Sequence, residues 1–225
     1  ISESEGKVSA VAKGIKKPKS SLRVCVQPFC HSSLFLSRGK GLDLITQGKI
    51  IDFYGNTRND INSILHVVYM MELLDKTLID RVPVPGLYGT TLKVLAYINE
   101  IGFNPLIIRY FEMKLLTILG YKPVLNRCVF CGQTTGLAGF NLAEGGIVCN
   151  KCSPGAQSNF PLFGESLALA RLLTGANLRT LSRVTASAPA LKQLEIFMEK
   201  FLEYHLERRF NLKNIMRILK KNIII

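Results

Sequence analysis

The chain has no tryptophan, only three histidines, and 16 aspartates and glutamates against 29 lysines and arginines among its 225 residues. Each shortage excludes something. Most of the few carboxylates are spaced as solvent faces of helices, which leaves no clustered acid–base set. There is also no Walker loop, no Gly-x-Gly-x-x-Gly turn and no Gly-x-Ser-x-Gly elbow. No catalytic residue is expected, and the chain reads as a binding protein, not an enzyme. Long apolar runs are absent too. The best, Pro105 to Leu119, is interrupted by Arg109, Glu112 and Lys114, short of the roughly 18 residues that a membrane span needs. No secretory pattern opens the sequence, so a cytoplasmic location is expected, although Ile1 is not an initiator methionine. What is there, 48% hydrophobic and 20% charged residues, is the composition of a folded globular protein.

Acid is missing altogether from Gly6 to Leu42, which carries eight cations: Lys7, Lys13, Lys16, Lys17, Lys19, Arg23, Arg38 and Lys40. With a net charge of +13, a polyanionic partner is expected, nucleic acid ahead of an anionic membrane.

The most specific pattern lies further on. Cys128-Val-Phe-Cys131-Gly132 and Cys149-Asn-Lys-Cys152 are two Cys-x-x-Cys knuckles separated by 17 residues. Each puts two sulfurs on one tight turn, and together they can close around one zinc ion. Gly132 suits the left-handed backbone of such a turn, and Gly136, Gly139, Gly145 and Gly146 mark a hairpin that folds the second knuckle onto the first. The rival reading is a pair of structural disulfides. Four sulfurs fill zinc's coordination, and no histidine lies between the knuckles, so the expected role is a structural staple for a lobe too short to build its own core. Arg127 and Lys151 abut the ligands, either as counter-charges to the thiolates or as contacts to a partner. Cys25 and Cys30 read as ordinary half-buried residues in a reducing compartment.

The order of elements follows from periodicity. Lys7–Ala10 and Leu22–Gln27 alternate apolar and polar residues, and Leu42–Tyr54 continues as one or two strands broken at Gly48, so four or five short strands are expected in about 55 residues. After Gly55 the period becomes helical. A helix from Asp60 presents Ile61, Ile64, Leu65, Val68, Met71 and Leu74, and a second runs from about Thr90 to Ile101, ended by Gly102. A third opens at Asn104-Pro105 and runs to Leu119. Helices at Gly164–Leu173 and from Ser187 to about Arg209 follow the cysteines. The fold class is therefore α+β. A small β-barrel or sheet comes first, then an all-helical domain into which the cysteine lobe, residues 122–160, is inserted.

The turn Lys13-Gly-Ile-Lys-Lys-Pro-Lys19-Ser20 concentrates four lysines that repel one another unless a polyanion neutralises them. It is either a solvated surface loop or a phosphate-tracking loop at the rim of an oligonucleotide-binding fold. Phe29, Phe35, Phe53 and Tyr54 could stack bases, though core positions suit each of them better. A second basic run, Arg208-Arg209 through Lys213, Arg217, Lys220 and Lys221, either extends that surface or complements a helix dipole.

Several ordered pieces resemble the bacterial RecO recombination mediators. They are Gly6-Lys7, Val11-Ala-Lys-Gly14, Pro18-Lys-Ser20 and Gln27-Pro-Phe29, then Tyr69 and Glu72-Leu73. Phe111-Glu112, Leu115-Leu116 and Leu119-Gly-Tyr-Lys-Pro123 follow, and Cys128–Gly132, Phe140, Gly145-Gly146 and the Cys149/Cys152 pair complete the series. The resemblance covers residues 5–152 well and the rest weakly. It implies an N-terminal oligonucleotide-binding (OB) barrel over residues 1–55 and a helical domain over 56–225. It also implies one structural zinc on Cys128, Cys131, Cys149 and Cys152. The implied function is to bind single- and double-stranded DNA, anneal complementary strands and, with RecR, promote RecA loading on strands coated by single-stranded-DNA-binding protein (SSB), in the bacterial cytoplasm at the nucleoid. The eight cations from Lys7 to Lys40 take the place of the family's basic barrel segment. The acidic, apolar-ended tail of SSB needs an apolar cleft rimmed by cations, and the helices after Gly55 supply both. Family members carry a first barrel strand before the Gly6-Lys7 equivalent, so a strand is expected to be missing here. A zinc-containing RNA-binding or ribosome-associated factor is the other reading that this basic barrel allows.

Overall fold

The computed structural model describes residues 1–17, 20–155 and 159–207. They fall into two compact units, one running Ile1–Phe103 and one beginning at Asn104. The class is α+β, with a sheet first, helices after it, and the cysteine hairpin between helices.

In the first unit, β1 (Ala10–Val11), β2 (His31–Ser37) and β3 (Asp43–Asp52) form a sheet of order β1-β3-β2, with β1 parallel and β2 antiparallel to β3. The segment from Leu22, expected as a strand, is instead a helical turn, α1 (Leu22–Cys25). Over four residues an alternating run also places Leu22 and Cys25 three apart, and a single helical turn buries Cys25 while leaving Arg23 and Val24 in solvent. Cys25 sits over Gly48, and this explains why Gly48 does not break β3. A β-carbon there would lie 2.9 Å from Leu34 Cδ2 and 3.0 Å from Cys25 Cβ. The glycine admits the helix.

A short helix α2 (Gly55–Arg58) leads into α3 (Ile61–Thr77), whose N-cap Asp60 accepts from the amides of Asn62 and Ser63. The buried face of α3 is rotated from the one expected. It comprises Ser63, His66, Val67, Tyr69, Met70, Leu73 and Leu74, whereas Ile61 is 54% exposed. His66 stacks on Phe103 at 3.8 Å and its Nδ1 lies 2.6 Å from the Asn62 carbonyl oxygen. A satisfied histidine and serine on the core side conceal the true face from a hydrophobicity count. Helix α4 (Leu87–Ile101) follows and ends at Gly102, φ +90.

The second unit opens with α5 (Pro105–Ile118), capped by Asn104, whose side chain accepts from the Leu106 amide. This helix is buried on nearly every side. Its charges Arg109 and Glu112 are buried with it and pair at 2.8 Å, as charges removed from water must. A sheet of order β5-β4-β6 follows: β4 (Leu137–Asn141), β5 (Gly146–Cys149) and β6 (Asn159–Pro161). Then come α6 (Gly164–Gly175), the single turn α7 (Leu178–Leu181), and α8 (Ala188–Leu206), which starts at Ser187 as expected. The expected extension of α8 to Arg209 and the basic run Arg208–Lys221 lie outside the described residues. Among the described residues no helix is long and apolar enough to cross a membrane.

Candidate metal centre and nucleic-acid surface

The cysteine lobe is assembled by a hairpin. In the β4–β5 ladder Leu137 faces Cys149, which carries the second knuckle back beside the first. The first knuckle turns through Gly132, φ +75, whose amide donates to the Cys128 carbonyl at 2.9 Å. The Val129 amide donates to the Ile147 carbonyl at 3.0 Å and stitches knuckle to strand. Gly146 makes this close approach possible, because a β-carbon there would collide with Val129 Cγ1 and press on the Val124 carbonyl oxygen.

All four sulfurs, Cys128, Cys131, Cys149 and Cys152, lie within 4.8 Å of one another, with Cys131 and Cys149 at 3.6 Å. Sulfurs about 2.3 Å from a central zinc stand roughly 3.8 Å apart at the corners of a tetrahedron. A disulfide would bring a pair to about 2.05 Å, and all six cysteines are free. The cluster is able to hold a metal ion, and its donor set and spacing fit zinc. Four sulfurs would complete a tetrahedral shell and leave no place for water.

Thiolate character is built in before any ion arrives. Burial pushes the Cys128 thiol up, but amide hydrogen bonds from Cys131, Cys149 and Phe130 outweigh it and bring it down to about 6. The Cys152 amide holds Cys149 below the usual thiol range. Cys152 is pushed up to about 12, chiefly by hydrogen bonds with the Cys131 and Cys149 sulfurs. The amide hydrogen bonds at Cys128 and Cys149 favour the thiolate, the form in which sulfur ligates a metal. Arg127 and Lys151 are exposed beside them.

One support escaped the sequence reading. Phe140 of β4 is fully buried and packs against Phe160, Phe197 and Phe201 with centroids 5.6, 4.8 and 5.2 Å away. It fastens the hairpin to α8. The pairing of a glycine-rich lobe with an aromatic face about 60 residues later has no local signature.

The expected DNA-contacting cations occupy different places. Lys13, Lys16 and Lys17 are exposed on the turn between β1 and α1, and Lys19 lies outside the described residues. Arg23 is exposed on α1, and Arg38 and Lys40 are exposed between β2 and β3. Lys7 differs: it is drawn in by Asp75 at 2.8 Å and Asp80 at 3.7 Å. Arg38 pairs with Glu5 at 3.2 Å. Sequence separation hid both pairings. Of the four aromatics, Tyr54 is core at 3% exposed, Phe29 is half-buried, and Phe35 and Phe53 are exposed.

The N-terminal model of recombination protein O matches residues 1–54, and the C-terminal model matches residues 58–214. The chain belongs to the RecO family. It is 57% identical over 221 residues to the DNA repair protein RecO of Syntrophomonas wolfei, covering 98% of this chain and 88% of that protein. It is 38% identical over 148 residues to the DNA repair proteins RecO of Listeria monocytogenes and Oceanobacillus iheyensis. Those alignments cover 65% and 66% of this chain and 58% and 57% of those proteins. This RecO-family chain has the four-cysteine cluster of the zinc-binding type.

Proposed function

We propose that the chain is a recombination mediator of DNA repair. It binds single- and double-stranded DNA, anneals complementary strands and, with RecR, promotes RecA loading on strands coated by SSB. It works without catalytic residues of its own, in the cytoplasm at the nucleoid. One observation carries the reading within the family frame: the acid-free segment from Gly6 to Leu42 presents Lys13, Lys16, Lys17, Arg23, Arg38 and Lys40 to solvent on one small sheet unit. Cations placed so, on turns and strand ends and on the single turn α1, suit phosphate tracking with weak sequence preference. On this reading residues 1–55 form the DNA-binding domain and 56–225 the helical domain. Its lobe, 122–160, is stapled by one structural zinc on Cys128, Cys131, Cys149 and Cys152. The acidic SSB tail docks on the helices after Gly55.

The test is strand annealing. Two complementary labelled strands, each coated with SSB, are mixed with the protein, with and without RecR. Accelerated duplex formation that depends on the protein supports the proposal. Absence of acceleration, together with recovery of ribosomal material in place of RecR and SSB in a pull-down, decides for the RNA-binding alternative.

A further inference from the structure

We propose that Arg179 and Arg183 form a second phosphate-binding site, which holds the incoming strand during annealing. The proposal rests on the DNA-binding reading above and deepens it.

Charge along the chain marks the place. A second acid-free stretch runs from Ser166 to Leu194 and carries Arg171, Arg179, Arg183 and Lys192. Two of these cations are committed. Arg171 Nε donates to the Leu125 carbonyl at 3.0 Å, and Lys192 pairs with Glu195 at 3.3 Å. Arg179 and Arg183 are exposed, and among the described residues neither forms an ion pair. Glu165, which reaches the far end of the same connection, is spent on Ser187. It accepts from the Ser187 amide at 2.9 Å and from the hydroxyl at 2.5 Å.

The turn that carries the two arginines is anchored. Asn177 caps α7, accepting from the Thr180 amide at 2.9 Å and from the Thr180 hydroxyl at 3.0 Å. The turn continues past Leu181: the Arg183 amide donates to the Thr180 carbonyl and the Val184 amide to the Leu181 carbonyl, each at 3.2 Å. Leu181 is fully buried and plugs the turn into the second unit. Arg179 and Arg183 lie two residues to either side of it, so both point away from the core that Leu181 enters. They stand about one turn apart on a fixed support.

The occupant follows from charge and from the reaction. Guanidinium groups match phosphate in charge and in hydrogen-bonding geometry. Two unpaired ones on one turn repel each other until an anion neutralises them. Annealing supplies that anion. Its two strands are polyanions that repel, and a protein that joins them has to hold the second as well as the first. The lysine turn of the first unit serves one strand, and the arginine turn gives the other a separate contact. An acidic peptide with an apolar end carries similar charge but needs an apolar cleft, whereas Thr180 and Ser182 beside the arginines are polar and exposed.

The experiment titrates the full chain with a non-complementary single strand of about 10 nucleotides, one site's length, at several salt concentrations. Wild type should bind one strand tightly and a second more weakly. Arg179→Ala with Arg183→Ala should leave the first affinity unchanged and weaken the second about tenfold at low salt, flattening its salt slope by about 1.4 units. The annealing rate should fall with it. Arg179→Lys with Arg183→Lys should restore most of the second affinity, because charge is retained, and this excludes misfolding as the cause. A wild-type chain that takes up only one strand, or an alanine variant whose second affinity and slope are unchanged, overturns the site and leaves the DNA-binding reading intact. Equal losses at both steps also overturn it, since the arginines then belong to the first site. Loss of affinity for an acidic peptide with an apolar end, with the second strand still bound, marks the turn as a protein-docking site and overturns it too. A wild-type protein that binds no strand at all overturns both readings.

Discussion

Arg81 Nη2 lies 2.5 Å from the Asp43 carboxylate, whose side chain is only 2% exposed at the first residue of β3. Arg81 also reaches Glu5 at 2.8 Å, and Glu5 reaches Arg38 at 3.2 Å. Lys7 bridges to Asp75 and Asp80, and its carbonyl accepts from the Arg81 amide at 2.7 Å. These contacts tie the first residues of the chain and the start of β3 to the connection between α3 and α4. The hydrogen bond from Arg81 comes first and the Gly39 amide assists; together they hold the Asp43 carboxyl below the usual carboxylate range against the opposing effect of burial.

That depression sets a pH dependence. Because the folded carboxyl ionises below its unfolded value, its stabilisation is complete above about pH 4. It is lost as pH falls through the lower native value. Asp43→Asn should be less stable than wild type at neutral pH and should lose less further stability on acidification. Urea midpoints measured at neutral and acid pH check this, and parallel curves for the two proteins would contradict it.

One zinc per chain is expected on the four sulfurs at about 2.3 Å, with no water ligand. Cys128→Ser, or exhaustive chelation, should unfold the lobe and leave single-strand binding largely intact. Elemental analysis and X-ray absorption read the first statement directly. Freshly purified protein without stoichiometric metal, or with a disulfide inside either knuckle, would refute it.

Phe140→Ala should destabilise the second unit by about 3–5 kcal/mol, the cost of emptying a fully buried aromatic site. Gly146→Ala should act by another route, pushing Val129 and the first knuckle away from β5. We expect it to lower metal retention in competition with a chelator more than it lowers the unfolding midpoint, whereas Phe140→Ala should do the reverse. Identical effects from the two variants would mean that hairpin closure and aromatic anchoring are one event.

Where local chemistry decides an element, the sequence was sufficient to read it. The caps Asp60, Asn104 and Ser187, the terminator Gly102 and the two knuckles all act within a few residues, and each sits where its type implies. The errors have a common cause. The face of α3 turns on His66 finding Phe103, α1 on Cys25 finding Gly48, and the lobe's anchorage on Phe140 finding α8. The same holds for Lys7, which as a string looks like one more free cation and in three dimensions belongs to Asp75. Partners far apart in the chain leave no mark on local periodicity.

The central claim, that the lysine turn tracks phosphate, is tested most directly by the salt dependence of single-strand affinity. If Lys13, Lys16, Lys17 and Lys19 each neutralise about one phosphate, replacing all four with alanine should flatten the slope of log affinity against log salt by roughly 3 units. The loss should be largest at low salt and nearly uniform across sequences, because phosphate contacts carry no base information. A quadruple variant that keeps both the affinity and the slope of wild type would contradict the account.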